Sequence, residues 1–223
     1  MADISIIKGN IFNSTAQTIV NTVNCVGVMG KGIALVFKLR YPNMFEQYKA
    51  YCAQNLITIG KLWLYKGEPE KPWVLNFPTK THWKFPSEYS YIELGLQKFV
   101  SAYKEKGISS IAFPLLGANN GGLDRNKVLS IMEHYLSLCD IPIEIYQYDP
   151  VAKDDLFDAF KDKWNSIPSE NKKSALGIRT SKQIETIDQC LNSSEIKSLI
   201  GLIEYPGIGI ITMQRCYDFI MNY

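Results

Sequence analysis

Histidine is nearly missing from this chain of 223 residues, which has two copies, His82 and His134. Cysteine is scarce too. Its five copies (Cys25, Cys52, Cys139, Cys190, Cys216) are scattered, odd in number and never spaced as C-x-x-C. Those counts leave neither a zinc-binding spacing nor a disulfide framework, and the cysteines read as small buried hydrophobes. No metal or other cofactor is expected. No apolar run approaches the length that crosses a bilayer, so no membrane partner is expected either. The opening stretch MADISIIKGN has neither the basic segment nor the apolar core of a signal peptide, and a cytoplasmic location is the expectation. Charge of one sign is also lacking. Lys and Arg number 24 against 22 Asp and Glu, a net +2 that is too small to announce a polyanionic partner. The first 150 residues carry 15 basic against 12 acidic side chains, which permits an anionic ligand without requiring one.

What is present is an ordinary globular composition, 46% hydrophobic and 21% charged, with room for one good-sized domain and an appendage. ISIIKGNIF reads as an edge-like strand and QTIVNTVN as a second, β-branched one. A glycine cluster (Gly27, Gly30, Gly32) then opens a helical pattern through Ile33, Leu35, Val36 and Leu39, which Pro42 ends while starting the next helix. GKLWLYKG and WVLNFP read as two more strands. Ser87 is positioned to cap a long helix that runs to Lys106, with Gly107 as its stop. ISSIAFPLLG has the unbroken apolarity of a strand buried on both faces. The glycine loop GANNGG leads into a further helix, and IPIEIYQY closes the set. Strands alternating with helices over short connections predict a three-layer α/β domain. KDDLFDAFKDKW is expected to pack on it as a surface helix. The domain is therefore set at 1–164, followed by a polar linker at 165–180 and a small all-α appendage at 181–223.

Each glycine loop follows a strand and precedes a helix. Such loops gather backbone N–H groups without side-chain obstruction at the positive end of a helix, which suits phosphate. Two of them suggest a diphosphate held between. Neither matches G-x-x-x-x-G-K-[ST], and the first strand lacks a G-x-G-x-x-G turn, which disfavours P-loop and dinucleotide-binding readings.

Taken together, IIKGNIF, QTIVNTVNCVGVMGKGIALVFK, VLNFPTKTHW and IAFPLLGANNGGLD resemble a macrodomain, the ADP-ribose-binding α/β/α fold with a mixed central sheet. They are more closely similar to its DarG-type branch, antitoxins that remove ADP-ribose from DNA. The resemblance covers about residues 3–150. It implies ADP-ribose as ligand, ADP-ribosylated DNA as substrate and a cognate ADP-ribosyltransferase toxin as partner. By the same resemblance, Gly9, Asn10 and Ile11 fall where the adenine amino group is bound, with Asn10 in place of a common aspartate. Asn24 would sit beside the distal ribose and Lys80 would be the catalytic lysine. Val28, Met29, Gly30, Lys31 and Gly32 would wrap the phosphates and ribose. Gly117, Ala118, Asn119, Asn120, Gly121, Gly122 and Leu123 would form the facing phosphate loop, and Thr79 and His82 would flank the ligand beside Lys80. Asp124 matches an aspartate that assists a lysine in the related terminal ADP-ribose protein glycohydrolase. The sequence departs from the branch at Ala118-Asn119, where Cys-Gly is common, and at Arg125, where tryptophan is common.

The chemistry of NFPTKTHW follows from what a glycosidic bond needs. A lysine in a partly desolvated pocket loses its proton more readily and can attack the anomeric carbon, while a carboxylate moves protons and activates water. Three readings stay open: hydrolysis of ADP-ribosylated DNA, hydrolysis of ADP-ribose esters on protein Glu or Asp, and binding of ADP-ribose without turnover. His82 suits a phosphate contact or a turn cap, and Trp83 a lid, a core plug or a nucleobase stack. Asp124 suits either proton transfer or the start of a helix. In the appendage, LIGLIEYPGIGIITMQRCYDFI resembles a helix-hairpin-helix element whose turn offers N–H groups to a DNA phosphate. Its six basic and six acidic residues over 165–223 speak instead for a structural helix pair.

Overall fold

The computed structural model describes residues 3–67 and 71–221. The chain divides into two compact units, Met1–Tyr148 and Asp149–Tyr223. The first unit is built on one six-stranded sheet with strand order β1-β6-β5-β2-β4-β3. Its strands are β1 (Ile4–Gly9), β2 (Thr18–Asn24), β3 (Trp63–Tyr65), β4 (Trp73–Lys80), β5 (Ile111–Pro114) and β6 (Ile143–Tyr148). All neighbours pair in parallel except β3, which runs antiparallel on the outer side of β4. The sheet is therefore mixed, and ISIIKGNIF does lie at an edge.

Helices cover both faces because adjacent strand residues point to opposite sides. On one face Val20, Leu75, Phe77, Phe113 and Ile145 pack with Ile92, Leu96 and Phe99 of α3 (Tyr89–Lys106) and Val128 and Met132 of α4 (Arg125–Leu136). On the other, Ile19, Val23, Val74 and Ala112 pack with Phe37 of α1 (Gly32–Arg40) and with Met44 and Tyr48 of α2 (Pro42–Ala53). The three-layer architecture is the expected one. Pro42 stands at the start of α2, and Gly107 ends α3 with φ +75°. The expected cap of α3 is not observed. α3 is preceded by Glu88, and Ser87 is instead buried beneath the second glycine loop.

The second unit is all helical: α5 (Phe157–Ser166), α6 (Lys172–Ala175), α7 (Ser181–Asn192), a 3-10 turn at Ile200–Glu204 and α8 (Ile210–Met221). It includes the helix expected to cover the α/β domain. Trp164 of α5 donates its indole N–H to Asp188 at 2.6 Å, and Phe160 and Trp164 meet Phe219 of α8 edge-on. The buried rings of Phe160 and Trp164 belong to a core within residues 149–221, and the division between the units falls before α5. The expected linker also carries the one-turn helix α6, where Lys172 pairs with Asp188 at 2.8 Å. Residues 222 and 223 of the expected appendage lie outside the described residues.

Candidate active site

β2 and β4 lie side by side in the middle of the sheet and end together. Their register runs evenly from Thr18–Trp73 to Val23–Pro78, then shifts so that Asn24 stands opposite Lys80. Pro78 has no N–H to give to a ladder, and the strand accommodates it with one extra residue at this point. The strand thus continues past the proline, and its last residue is Lys80. From there the Lys80 ammonium donates to the backbone carbonyl of Asn120 at 2.5 Å, spanning to the second glycine loop. Partial burial holds the pKa of Lys80 below the ordinary lysine value, because desolvation disfavours the charged form.

The two glycine loops meet at the same place. Gly32 has φ +57°, and a β-carbon there would stand 2.5 Å from the side-chain nitrogen of Asn120. Gly121 is packed so closely that a β-carbon would lie 2.2 Å from the Gly117 carbonyl and 2.4 Å from the Ser87 hydroxyl. The Ser87 N–H holds the Gly121 carbonyl at 3.0 Å. Within the second loop, Leu123 N–H donates to Gly117 and Gly122 N–H to Asn119. Among the described residues, the N–H groups of Asn119, Asn120 and Gly121 donate to no protein acceptor, nor do those of Gly30, Lys31 and Gly32. Lys31 precedes α1 without making a side-chain cap, so that helix start is open to an anion. The start of α4 is different. Asp124 caps it by accepting from Lys127 N–H at 2.9 Å, so the second loop offers its own amides and not a helix terminus.

Asn24 is buried and braces the first loop. Its Nδ2 donates to the Val28 carbonyl at 2.6 Å, while its Oδ1 accepts from Val26 N–H at 3.0 Å and Val28 N–H at 3.3 Å. Asn10 is buried as well, and its Oδ1 accepts from Phe12 N–H at 3.1 Å, which leaves one lone pair for a further donor. Gly9 is the last residue of β1. Ile11 and Met29 turn their side chains into the core, so only their backbones can line a ligand. Val28, Gly30, Lys31 and Gly32 are exposed, as are Asn119, Asn120 and Gly122; Ala118 and Leu123 are half-buried, and Thr79 is buried beside Lys80. His82 caps its turn, its Nδ1 accepting from Lys84 N–H at 3.2 Å. Cys25 is not a nucleophile in waiting: burial and the neighbouring Cys52 push its thiol up to about 11.

Residues 20–132 match the family model of the Macro domain. The chain belongs to the macrodomain family. A curated relative, the DNA ADP-ribosyl glycohydrolase of Mycobacterium tuberculosis, is 44% identical over 142 residues, covering 62% of this chain and 40% of its own length. A DNA ADP-ribosyl transferase–DNA ADP-ribosyl glycohydrolase fusion protein of Thermosipho africanus is 38% identical over 161 residues, covering 65% of this chain and 42% of its own length. The solved structure of Thermosipho africanus DarTG in complex with ADP-ribose superposes with a TM-score of 0.64 at 35% identity, covering 76% of this chain and 44% of that one. This chain spans about two-fifths of the length of the curated relatives it matches.

Two residues that brace the candidate site, Tyr48 and Ser87, carry no signal for that task in the sequence. Tyr48 donates its hydroxyl to the backbone carbonyl of Asn24 at 2.5 Å, and burial holds that phenol's pKa far above its ordinary value. In the sequence it is only one more apolar position of α2. Ser87, read as a cap, is the floor of the second loop, and no local signal separates those two jobs. Trp83 is neither buried plug nor core residue, since half of it is exposed.

Proposed function

We propose that this macrodomain is an ADP-ribosyl glycohydrolase that releases ADP-ribose from modified bases of DNA, in an antitoxin or repair-like role. The carrying observation is the placement of Lys80. It ends the strand beside Asn24, is partly desolvated, and touches the second glycine loop where Asn120 meets Gly32 of the first. A diphosphate held between the two sets of amides puts the distal ribose at the ends of β2 and β4. There the neutral Lys80 amine attacks the anomeric carbon and the bond to the base breaks, its electron pair leaving on the base, which takes up the proton the new ammonium gives up; water then bonds to that carbon as the carbon–lysine bond breaks and a proton returns to the lysine nitrogen. The uncommitted carboxylate oxygen of Asp124 serves as the proton carrier for that water. Asn24 acts through the first loop, holding Val26 and Val28 in place. ADP-ribose is the ligand, the unit Met1–Tyr148 is the catalytic domain, and a DNA ADP-ribosyltransferase is the partner whose product it removes. Cellular DNA as substrate goes with a cytoplasmic location.

The relatives' names favour DNA over protein as the carrier. The test is a substrate panel: ADP-ribose release by the wild-type chain from an ADP-ribosylated single-stranded oligonucleotide and from a protein ester-linked to ADP-ribose. Release from the oligonucleotide is expected to dominate. Release from the protein alone overturns the DNA assignment, and tight ADP-ribose binding without release from either makes the chain a reader.

A further inference from the structure

The turn that follows Lys80 exposes two large aromatic side chains within three residues, Trp83 at 50% and Phe85 at 59%. Neither is loose. His82 lies between them, its ring stacked on Trp83 at 5.5 Å between centroids and tilted against Phe85 at 5.5 Å. The turn itself is fixed by Lys84 N–H donating to His82 Nδ1 at 3.2 Å and Phe85 N–H donating to the His82 carbonyl at 3.1 Å. Cys25 N–H donates to the Thr81 carbonyl at 3.3 Å, tying this turn to the first glycine loop, where Val26 is 44% exposed. Lys84 stands 5.1 Å from the Trp83 ring centre. Residues 79–87 carry Lys80 and Lys84, and Glu88, which follows them, accepts from the Tyr91 hydroxyl at 2.7 Å.

Flat apolar faces braced by His82, beside the cation of Lys84, match one chemistry well. Unpaired bases stack on aromatic rings while their phosphates meet cations. Paired bases keep their faces inside the duplex, so the partner is single-stranded. Trp83 is three residues past Lys80, at most about 11 Å of extended chain, which is within reach of the nucleotides next to a base bound at Lys80. We infer that the turn 81–86 is a stacking platform for the single strand flanking the modified base, with Trp83 and Phe85 taking bases and Lys84 a phosphate. This rests on the reading of Lys80 as the reacting group and extends it to how the carrier of the ADP-ribose is recognised.

The test compares wild type with Trp83→Ala, Phe85→Ala and Trp83→Tyr, on a short single-stranded oligonucleotide bearing one ADP-ribosylated base and on an ADP-ribosylated nucleoside. Trp83→Ala is expected to raise KM for the oligonucleotide roughly tenfold at unchanged kcat, as loss of one stacked base implies. Kinetics on the nucleoside and affinity for free ADP-ribose stay at wild-type values, and Trp83→Tyr restores the oligonucleotide KM. Equal losses on both substrates overturn the platform in favour of a lid over the ribose. No loss on either overturns it in favour of a protein-binding surface. Fluorescence anisotropy with the same strand unmodified separates this inference from the catalytic reading. If the wild type releases no ADP-ribose yet Trp83→Ala weakens strand binding tenfold, the hydrolase reading falls and the platform stands; unchanged strand binding overturns the platform.

Discussion

Lys80 owes its position to a proline. The register shift at Pro78 brings the lysine opposite Asn24, and its chain then reaches the Asn120 carbonyl. Desolvation lowers its pKa, so the neutral amine is populated at lower pH than in a free lysine. If that amine attacks the ribose, kcat/KM rises with pH along a limb whose midpoint lies below about 10.4, the ordinary lysine value. A pH–rate profile of oligonucleotide turnover measures it. A rate that falls with rising pH below that value contradicts a lysine nucleophile. The residues of the proposed site that sit in contiguous motifs, the glycines, Lys80 and Asp124, are the ones the sequence could single out. What those motifs could not convey was which polar groups already have partners. Asp124 caps α4, His82 caps its own turn, and Asn24 is committed to the first loop, because each finds a backbone group two to four residues away. Ser87 and Tyr48 act across long sequence separations that no local pattern records.

At the scale of elements, the doubly buried β5 was legible from its unbroken apolar run, and α3 from its spacing and its glycine stop. β4 was expected to end at its proline, but parallel pairing with β2 carries it two residues further. The position of α5 was not legible. Its pattern of Phe157, Phe160 and Trp164 shows that one face is buried and is silent about what buries it. The hairpin reading of the tail keeps its α8, whereas its first arm is a 3-10 turn of five residues. Since residues 149–223 carry nine basic against eleven acidic side chains, the second unit should add little salt-dependent affinity for DNA. Truncation after Tyr148 is therefore expected to leave calorimetric ADP-ribose affinity unchanged, along with the slope of oligonucleotide affinity against salt. A clearly shallower slope would return the hairpin to phosphate binding.

For the molecule as a whole, the proposed site joins a diphosphate cradle to one activatable amine. Binding and bond cleavage should therefore separate: the cradle is made of backbone amides from 30–32 and 119–121, and the amine from one side chain. The chain spans about two-fifths of its curated relatives, and the chemistry proposed for it lies wholly within Met1–Tyr148. The most direct measurement pairs single-turnover release of ADP-ribose from a modified single-stranded oligonucleotide with calorimetric titration of ADP-ribose, for wild type and Lys80→Ala. The predicted result is a loss of at least about 10²–10⁴-fold in the rate of release, with ADP-ribose affinity nearly intact. Near-normal release by Lys80→Ala would contradict the account.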